Sequence, residues 1–223
     1  SIIDDAPISI KQGWGLPMWQ PKNFDHKFQG KITVRRCLTQ SRNVPAVKIA
    51  QMVGIDSIIE TARLAGITSK LDPNLSLALG SSAVSPLELA GAYSTFARGG
   101  IAIRPQVIRK IENTRGQVIE TFESRYDKAF DSDAVAELAD RPVAGKTGTA
   151  DAGKDIWFAG FTPDMSTVCW GGNDENEAIP GHFVTGGTVM AKIWHTFMEA
   201  YYKTHPTAAG SFMEPSGRAV KEA

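Results

Sequence analysis

The chain has 223 residues, 42% of them hydrophobic, which is enough for one large domain or two small ones. Lysine plus arginine and aspartate plus glutamate are equal at 24 each, so the formal net charge is zero. This balance argues against a general nucleic-acid binder and against a strongly membrane-adsorbed surface. No uninterrupted apolar run approaches the length of a membrane span.

Residues 1–30 are punctuated by prolines and glycines, which predicts irregular structure. Trp14 and Trp19 are expected to anchor this segment on a core. An independent domain rarely begins in this way, so we expect the opening segment to belong to a domain whose first residues lie upstream.

Helical patterns fill the next part of the chain. A short helix is predicted over 33–39, and a second over 44–53 after Ser41-Arg42-Asn43, ending at Gly54. A third helix follows, with isoleucines at helical spacing, and stops at Gly66.

The middle of the chain contains one clear helix start and one hairpin. Ser85-Pro86-Leu87-Glu88 combines a capping serine, a proline suited to the first helical position and the glutamate of a capping box. This helix is predicted to run to Gly99-Gly100. Segments 105–112 and 118–122 flank a glycine-containing loop and predict a hairpin. Residues 124–140 are acidic and alanine-rich and are expected to be helical in part.

The last part of the chain predicts a sheet and a covering helix. Three strands joined by short turns, at about 142–150, 155–162 and 166–171, are predicted to form an antiparallel meander. Helix 188–203 should pack on this sheet through one apolar stripe, made of Val189, Met190, Ile193, Trp194, Phe197 and Met198. From residue 207 to 223 small and polar residues predict a flexible tail.

The two cysteines, Cys37 and Cys169, are far apart in the sequence. Cys37 falls in a predicted helix and Cys169 in a predicted strand. Two unpaired buried thiols are therefore predicted, and they say little about the cellular compartment.

Gly145-Lys146-Thr147-Gly148-Thr149 lies on the first strand of the meander. Because side chains alternate along a strand, Lys146 and Gly148 should share one face, and the two threonines the other. A phosphate-binding P-loop also contains Gly-Lys-Thr, but it needs glycine where the chain has Asp140, and a helix afterwards. The remaining interpretation is the Lys-Thr-Gly element of serine enzymes that acylate on penicillin, which is weak evidence alone.

Ser41 and Asn43 form a second candidate element. A hydroxyl and an amide suit a site that shuttles a proton and holds a peptide. Both residues are also preferred helix caps, and a helix follows, so capping is the favoured interpretation in isolation. The corresponding alternative for Lys146 is a solvated cation at a sheet edge.

From about residue 7 to residue 202 the chain resembles the transpeptidase domain of bifunctional, class A penicillin-binding proteins. The matching phrases, in chain order, are Trp19-Gln20-Pro21-Lys22-Asn23, Ser41-Arg42-Asn43-Val44-Pro45-Ala46-Val47, Leu77-Ala78-Leu79-Gly80-Ser81, Ser85-Pro86-Leu87-Glu88-Leu89-Ala90, Gly145-Lys146-Thr147-Gly148-Thr149 and Trp157-Phe158-Ala159-Gly160-Phe161-Thr162-Pro163. Thr185-Gly186-Gly187 with Ile193-Trp194 is similar to the family's closing segment. Each phrase is modest alone, and their number and order make the match specific.

The resemblance implies an α+β fold in which an antiparallel sheet, with Lys146 on an outer strand, is flanked by helices. Residues 1–206 would form this domain and 207–223 its tail. The implied reaction is peptidoglycan cross-linking: a serine attacks a D-Ala-D-Ala stem peptide, and a neighbouring stem peptide resolves the acyl-enzyme. β-Lactams mimic the substrate and stay attached.

The resemblance also implies roles for the two elements. Ser41 would relay a proton toward the leaving amine, and Asn43 would hydrogen-bond the substrate backbone. Lys146 would keep the relay polarised and attract the substrate carboxylate.

The rest of the strand would bind substrate. A hydroxyl of Thr147 or Thr149 could take the carboxylate, and the Thr149 N–H would form half of an oxyanion hole. The substrate would lie along this strand, Gly148 included, as an added β-strand.

The chain departs from the family pattern in two places. No serine has a lysine three positions later, so the Ser-x-x-Lys nucleophile is expected upstream of Ser1, as are a glycosyltransferase domain and a membrane anchor. The parent protein would then act at the extracytoplasmic face of the bacterial inner membrane. The stretch between Phe130 and Gly145 is also shorter than in the family.

Two other functions share these motifs. A D,D-carboxypeptidase or β-lactamase would need a water-activating carboxylate, and no residue is a clear candidate. A non-catalytic module of the same fold is the other alternative. The sequence predicts no cofactor, no metal and no nucleic-acid partner.

Overall fold

The computed structural model describes residues 1–123, 126–128 (backbone only), 142–150, 153–181, 184–206 and 210–212. The chain divides into two compact units. The first contains Ser1–Thr61 and Ser69–Ala83, and the second contains Ala62–Thr68 and the described residues from Val84 onward.

In the first unit, strand β1 (Ile2–Asp5) pairs antiparallel with β2 (Gly30–Thr33). The expectation of irregular structure over 1–30 is therefore wrong at the first strand, because its partner lies too far along the chain for any local pattern to reveal it. Trp14 is 98% exposed, so it anchors nothing within the described residues. Trp19 is half-buried and forms an isolated bridge with Ile10.

The predicted helices of this region are confirmed. Helix α1 covers Val34–Thr39, α2 covers Asn43–Val53 and α3 covers Ile55–Leu64. A 3₁₀ turn follows at Leu75–Leu79 and contacts α2. The buried face of α2 is formed by Val44, Pro45, Val47 and Ala50. Cys37 of α1 is a free, buried thiol, and Cys169 is free but only half-buried.

The second unit opens with α4 (Pro86–Ala97), whose capping box is complete. The Ser85 hydroxyl accepts from the Glu88 N–H, and the Glu88 carboxylate accepts from the Ser85 N–H, each at 3.2 Å. Two of the helix's unpaired N-terminal donors are thereby satisfied.

Two small antiparallel pairs follow α4. Strand β3 (Ile101–Ile103) pairs with β6 (Tyr126–Lys128), and β4 (Lys110–Glu112) pairs with β5 (Val118–Thr121). The predicted hairpin is confirmed, with a shorter first strand. Strand β6 was not predicted; the rest of the expected helical stretch 124–140 lies outside the described residues.

The predicted meander is confirmed. Strands β7 (Ala144–Thr149), β8 (Ile156–Phe161) and β9 (Ser166–Gly171) form one antiparallel sheet in the order β7-β8-β9. Strand β7 is therefore an outer strand among the described residues, as the family resemblance implied.

Helix α5 (Ala191–Thr204), preceded by a π-helical turn at Gly186–Met190, covers one face of this sheet. The Trp194 ring lies 5.2 Å from the Phe158 ring and sits where a Gly160 side chain would be. The buried stripe is narrower than predicted. Met190, Trp194 and Met198 are buried, whereas Ile193 and Phe197 are 50% and 47% exposed.

Helix α4 covers the opposite face. Tyr93 packs edge-on against Phe161, and the Ser166 hydroxyl donates to the Ala90 carbonyl at 2.9 Å. The second unit is thus a helix–sheet–helix sandwich, which confirms the predicted α+β architecture with helices on both faces. Most of the predicted tail lies outside the described residues, but Phe212 packs on Phe161.

The capping box yields the first testable prediction. Ser85→Ala removes the acceptor for the Glu88 N–H and should destabilise the second unit by about 1 kcal/mol. Urea denaturation followed by circular dichroism measures this. Ser57→Ala, at an exposed position inside α3, is the matched control and should not lower the midpoint. Equal midpoints for Ser85→Ala and the parent chain would show that the box contributes nothing.

Candidate active site

Ser41 and Asn43 lie on either side of Arg42, the N-cap residue of α2, in the first unit. The Ser41 N–H donates to the Leu38 carbonyl and the Arg42 N–H to the Cys37 carbonyl, which closes α1. Ser41 has φ +51°, in the left-handed region that L-residues seldom occupy. The residue therefore forms the tight corner between the two helices.

The helix-cap interpretation of Ser41 and Asn43 is wrong. Arg42 occupies the N-cap position and makes no side-chain capping bond, while Asn43 is the first helical residue. The capping oxygen comes from elsewhere: Asn23 Oδ1 accepts from the Val44 N–H at 3.1 Å. The Asn43 amide donates to the Lys22 carbonyl at 3.0 Å, which fixes its orientation.

Arg42 is buried beneath this corner in a network of charged groups. Its Nε donates to Asp5 Oδ2 at 3.0 Å and its Nη1 to Asp25 Oδ2 at 2.8 Å, while Nη2 donates to the Lys27 carbonyl. Asp5 is fully buried and also accepts from the Asn23 amide at 2.7 Å. The network ties the Ser41–Asn43 corner to β1 and to the loop before β2.

The network shifts the pKa values of Asp25 and Arg42. The hydrogen bond from Arg42 holds the pKa of Asp25 below its usual value. Burial alone would lower the pKa of Arg42, but the hydrogen bonds to Asp25 and Asp5 outweigh it and raise that pKa. Both groups therefore stay charged across the physiological range.

The Lys-Thr-Gly element forms most of β7, in the second unit. Its two threonines face the π-helical turn, since the Thr149 hydroxyl accepts from the Gly186 N–H at 3.1 Å and the Thr147 methyl lies near Gly187. Gly148 lies over Trp157 on the opposite face, which it shares with Lys146. The alternation expected from the sequence is confirmed.

The outer edge of β7 carries backbone groups that no other described strand pairs with. The Ala150 N–H donates to the Asp155 carbonyl, in register with the β7–β8 pairing. Hydrogen-bonded pairs alternate along an antiparallel ladder, so the N–H and C=O groups of Thr147 and Thr149 point to the open edge.

Lys146 Nζ lies at this edge and donates to the Thr147 carbonyl at 2.9 Å. The side chain is half-buried, and burial lowers the pKa of its ammonium. Lys146 is thus a partly desolvated cation, unlike the fully solvated edge lysine of the alternative interpretation.

Gly186 fixes the position of β7 on the face of the sheet that α5 covers. A Cβ added to this residue would overlap the carbonyl oxygens of Trp157 and Gly148, so the π-helical turn rests directly on the strand backbone. Together with the Gly186–Thr149 hydrogen bond, this contact leaves β7 no room to move toward α5.

The family described as "Penicillin binding protein transpeptidase domain" matches residues 1–199. The chain belongs to this family. Among curated relatives, Penicillin-binding protein 1A of Neisseria lactamica is 33% identical over 92% of the chain, and that of Aquifex aeolicus is 34% identical over 84%. The chain spans 29% and 28% of those two proteins, so it corresponds to the transpeptidase region of a class A penicillin-binding protein.

Solved structures of the family show the same fold. Penicillin-Binding Protein 1A from Haemophilus influenzae superposes with a TM-score of 0.86 at 24% identity, over 96% of this chain and 40% of that one. PonA1 from Mycobacterium tuberculosis in complex with penicillin V gives 0.81 at 23% identity, over 96% of this chain and 66% of that one.

The structure places all the sequence-predicted residues of this transpeptidase domain on two short elements: Ser41 and Asn43 at α2, and Lys146 to Thr149 on β7. The sequence interpretation missed the roles of Asp5, Arg42 and Gly186. Arg42 and Gly186 lie within family phrases and Asp5 lies outside them, but burial and backbone contact are properties that only the fold reveals. Within the described residues there is no cluster of three metal-ligating side chains.

The Gly186 contact yields a prediction for the domain. Gly186→Ala should separate the π-helical turn from β7 and destabilise the chain by about 1–3 kcal/mol, as overpacked sites do. Gly187→Ala is the matched control, because its Cβ would meet only ordinary contacts at 3.7 Å or more. Thermal unfolding of the two variants measures the difference, and similar melting temperatures would contradict the contact.

Lys146 yields a pH prediction. Because burial lowers its pKa, the folded chain binds this proton less tightly than the unfolded chain, and the charged form opposes folding at neutral pH. That penalty is full below the lowered pKa and fades as the pH rises from there toward the ordinary lysine value. Lys146→Met should therefore be at least as stable as the parent at pH 7, with any advantage narrowing at alkaline pH.

Urea midpoints measured between pH 7 and pH 10 test this. Lys192→Met, at an exposed position of α5, serves as the control and should show no such trend. A stability difference for Lys146→Met that stayed constant over the whole range would exclude the effect of burial on Lys146.

Proposed function

We propose that this chain forms the acyl-donor site of a peptidoglycan-cross-linking D,D-transpeptidase of the class A penicillin-binding type. The observation that carries the proposal is the partly desolvated Lys146 ammonium at the open edge of β7. An extended peptide ending in a carboxylate, such as a D-Ala-D-Ala stem peptide, would find backbone partners and a cation on one strand.

The stem peptide binds β7 as an added strand in this scheme. The outward N–H and C=O groups of Thr147 and Thr149 supply ladder hydrogen bonds, and main-chain bonding of this kind gives affinity without demanding side chains. Gly148, which lacks a side chain, lets the peptide approach closely. The Thr149 N–H then lies beside the reacting carbonyl as one oxyanion donor.

Lys146 and the threonine hydroxyls recognise the terminal carboxylate. The ammonium attracts the anion, and its partial burial strengthens that attraction because the local dielectric is lower than in water. The Thr149 hydroxyl accepts from Gly186, which orients its own O–H as a donor. The Thr147 hydroxyl supplies a second donor on the same face.

Ser41 and Asn43 serve the proton transfer and the peptide backbone. An acylating serine attacks the carbonyl of the penultimate D-alanine, its proton passes through the Ser41 hydroxyl to the leaving amine, and D-alanine departs. The amine of a neighbouring stem peptide then attacks the ester and regenerates the serine. The sequence contains no Ser-x-x-Lys, so the acylating serine is assigned to none of these residues.

β-Lactams should react at the same place. Two solved relatives support this: the PonA1 structure contains penicillin V, and penicillin-binding protein A of Mycobacterium tuberculosis forms an imipenem acyl-enzyme.

The proposed location of the parent protein is the extracytoplasmic face of the bacterial inner membrane. None of the helices in the described residues is long and apolar enough to cross a membrane.

The proposal is tested in the full-length protein. Lys146→Ala should slow acylation by a fluorescent penicillin about a hundredfold, since it removes one positioned electrostatic group. The second-order rate constant is measured by gel fluorescence and expressed per labelled site.

Lys192→Ala, an exposed lysine of α5, controls for the loss of a charge and should acylate at the parental rate. A Lys146→Ala protein that acylated as fast as the Lys192→Ala control would remove Lys146 from the site.

A further inference from the structure

We propose that Arg42 is a positioning residue, which holds Ser41 and Asn43 in their reactive arrangement through its buried ion pair with Asp5. This inference rests on the proposed function of the Ser41–Asn43 corner. Arg42 itself contacts no reacting atom in this scheme, since its guanidinium is 6% exposed and directed into the first unit.

The corner needs an external support. Ser41 has a left-handed backbone conformation that is unfavourable for an L-residue, and such conformations persist only where the surroundings over-determine them. The next residue, Arg42, donates hydrogen bonds to three separate acceptors: Asp5, Asp25 and the Lys27 carbonyl. A planar guanidinium held at three points fixes the direction of the backbone that carries it.

The same network reaches the other side of the corner. The Asn23 amide donates to Asp5 and to the Lys27 carbonyl, and Asn23 Oδ1 caps α2 at Val44. Its neighbour Lys22 supplies the carbonyl that receives the Asn43 amide. A shift of Arg42 would therefore move the first turn of α2 and the side chain of Asn43 as well as the Ser41 hydroxyl.

Stability alone is a weak explanation for this arrangement. Burying an ion pair carries a desolvation penalty, and the attraction between the two charges often does no more than cancel that penalty. Apolar residues of similar size would stabilise the fold equally well. What the charged network adds is a fixed geometry, because every hydrogen bond is directional. A misplacement of about 1 Å in a catalytic group is enough to slow a reaction about a hundredfold.

The test is a double-mutant cycle in the full-length protein with a fluorescent penicillin. Arg42→Lys keeps the positive charge but loses the planar guanidinium, whose several N–H groups donate to separate acceptors. It should slow acylation per labelled site about tenfold when Ser41 is present and by a smaller factor in the Ser41→Ala background, where only the displacement of Asn43 remains. The fraction of protein that becomes labelled should stay at the parental level.

Arg35→Lys, an exposed arginine of α1, is the matched control and should leave the rate unchanged in both backgrounds. An equal slowing by Arg42→Lys in both backgrounds, or an unchanged rate per labelled site, would overturn the positioning role. The single variant Ser41→Ala tests the proposed function separately: acylation at the parental rate would remove the role of Ser41, whatever Arg42 does.

A milder variant keeps the inference testable if Arg42→Lys does not fold. Asp25 is 44% exposed, and Asp25→Asn replaces one guanidinium acceptor by an amide that keeps most of the shape. It should slow acylation about threefold when Ser41 is present and by a smaller factor in the Ser41→Ala background, since one of the three charge-assisted bonds of the guanidinium is weakened. A slowing of the same size without Ser41 would count against the proposal.

Discussion

The buried carboxylate of Asp5 is the constraint around which the first unit is arranged. An ionised carboxylate can leave water only where charged or polar donors surround it. Here Arg42, the Asn23 amide and the Gln29 N–H donate to its two oxygens. Two of these donors lie in the loop before β2 and the third at the start of α2, so satisfying one side chain brings β1, this loop and the start of α2 together.

The second unit depends on contacts of a different kind, made by glycines. Gly145, Gly160 and Gly186 all lie where an added Cβ would overlap a neighbouring ring or backbone atom. Their lack of side chains lets aromatic residues and a π-helical turn press directly on the sheet. Each unit therefore holds its own candidate element by rigid, short-range geometry: the first unit uses hydrogen bonds and the second uses close packing.

Much of the fold could be predicted from the sequence because its signals are local. The capping box at Ser85 and the strand–turn pattern of 142–171 depend on residues within a few positions of each other, and both predictions are confirmed. Strand β1 was missed because each of its residues pairs with one that lies 25 to 31 positions further along the chain, from Asp5 with Gly30 to Ile2 with Thr33. The exposure of Trp14 was missed because aromatic character predicts burial only on average.

The candidate residues could be named from the sequence, whereas the contacts that support them could not. The Lys-Thr-Gly and Ser-x-Asn phrases are visible as short strings, whereas the partners of Arg42 are scattered over the first 27 residues. The capping interpretation of Ser41 was reasonable from composition. It is wrong because Asn23, distant in sequence, supplies the capping oxygen that a local argument assigns to a neighbour.

The left-handed backbone at Ser41 limits which amino acids can occupy that position during evolution. Glycine, asparagine and aspartate tolerate this conformation best, but none of them carries a hydroxyl. Threonine carries one, yet its branched Cβ makes the same backbone angles a genuine outlier. Serine is therefore the one aliphatic residue that combines a hydroxyl with an unbranched Cβ at these backbone angles, so the proposed proton relay leaves position 41 no conservative replacement.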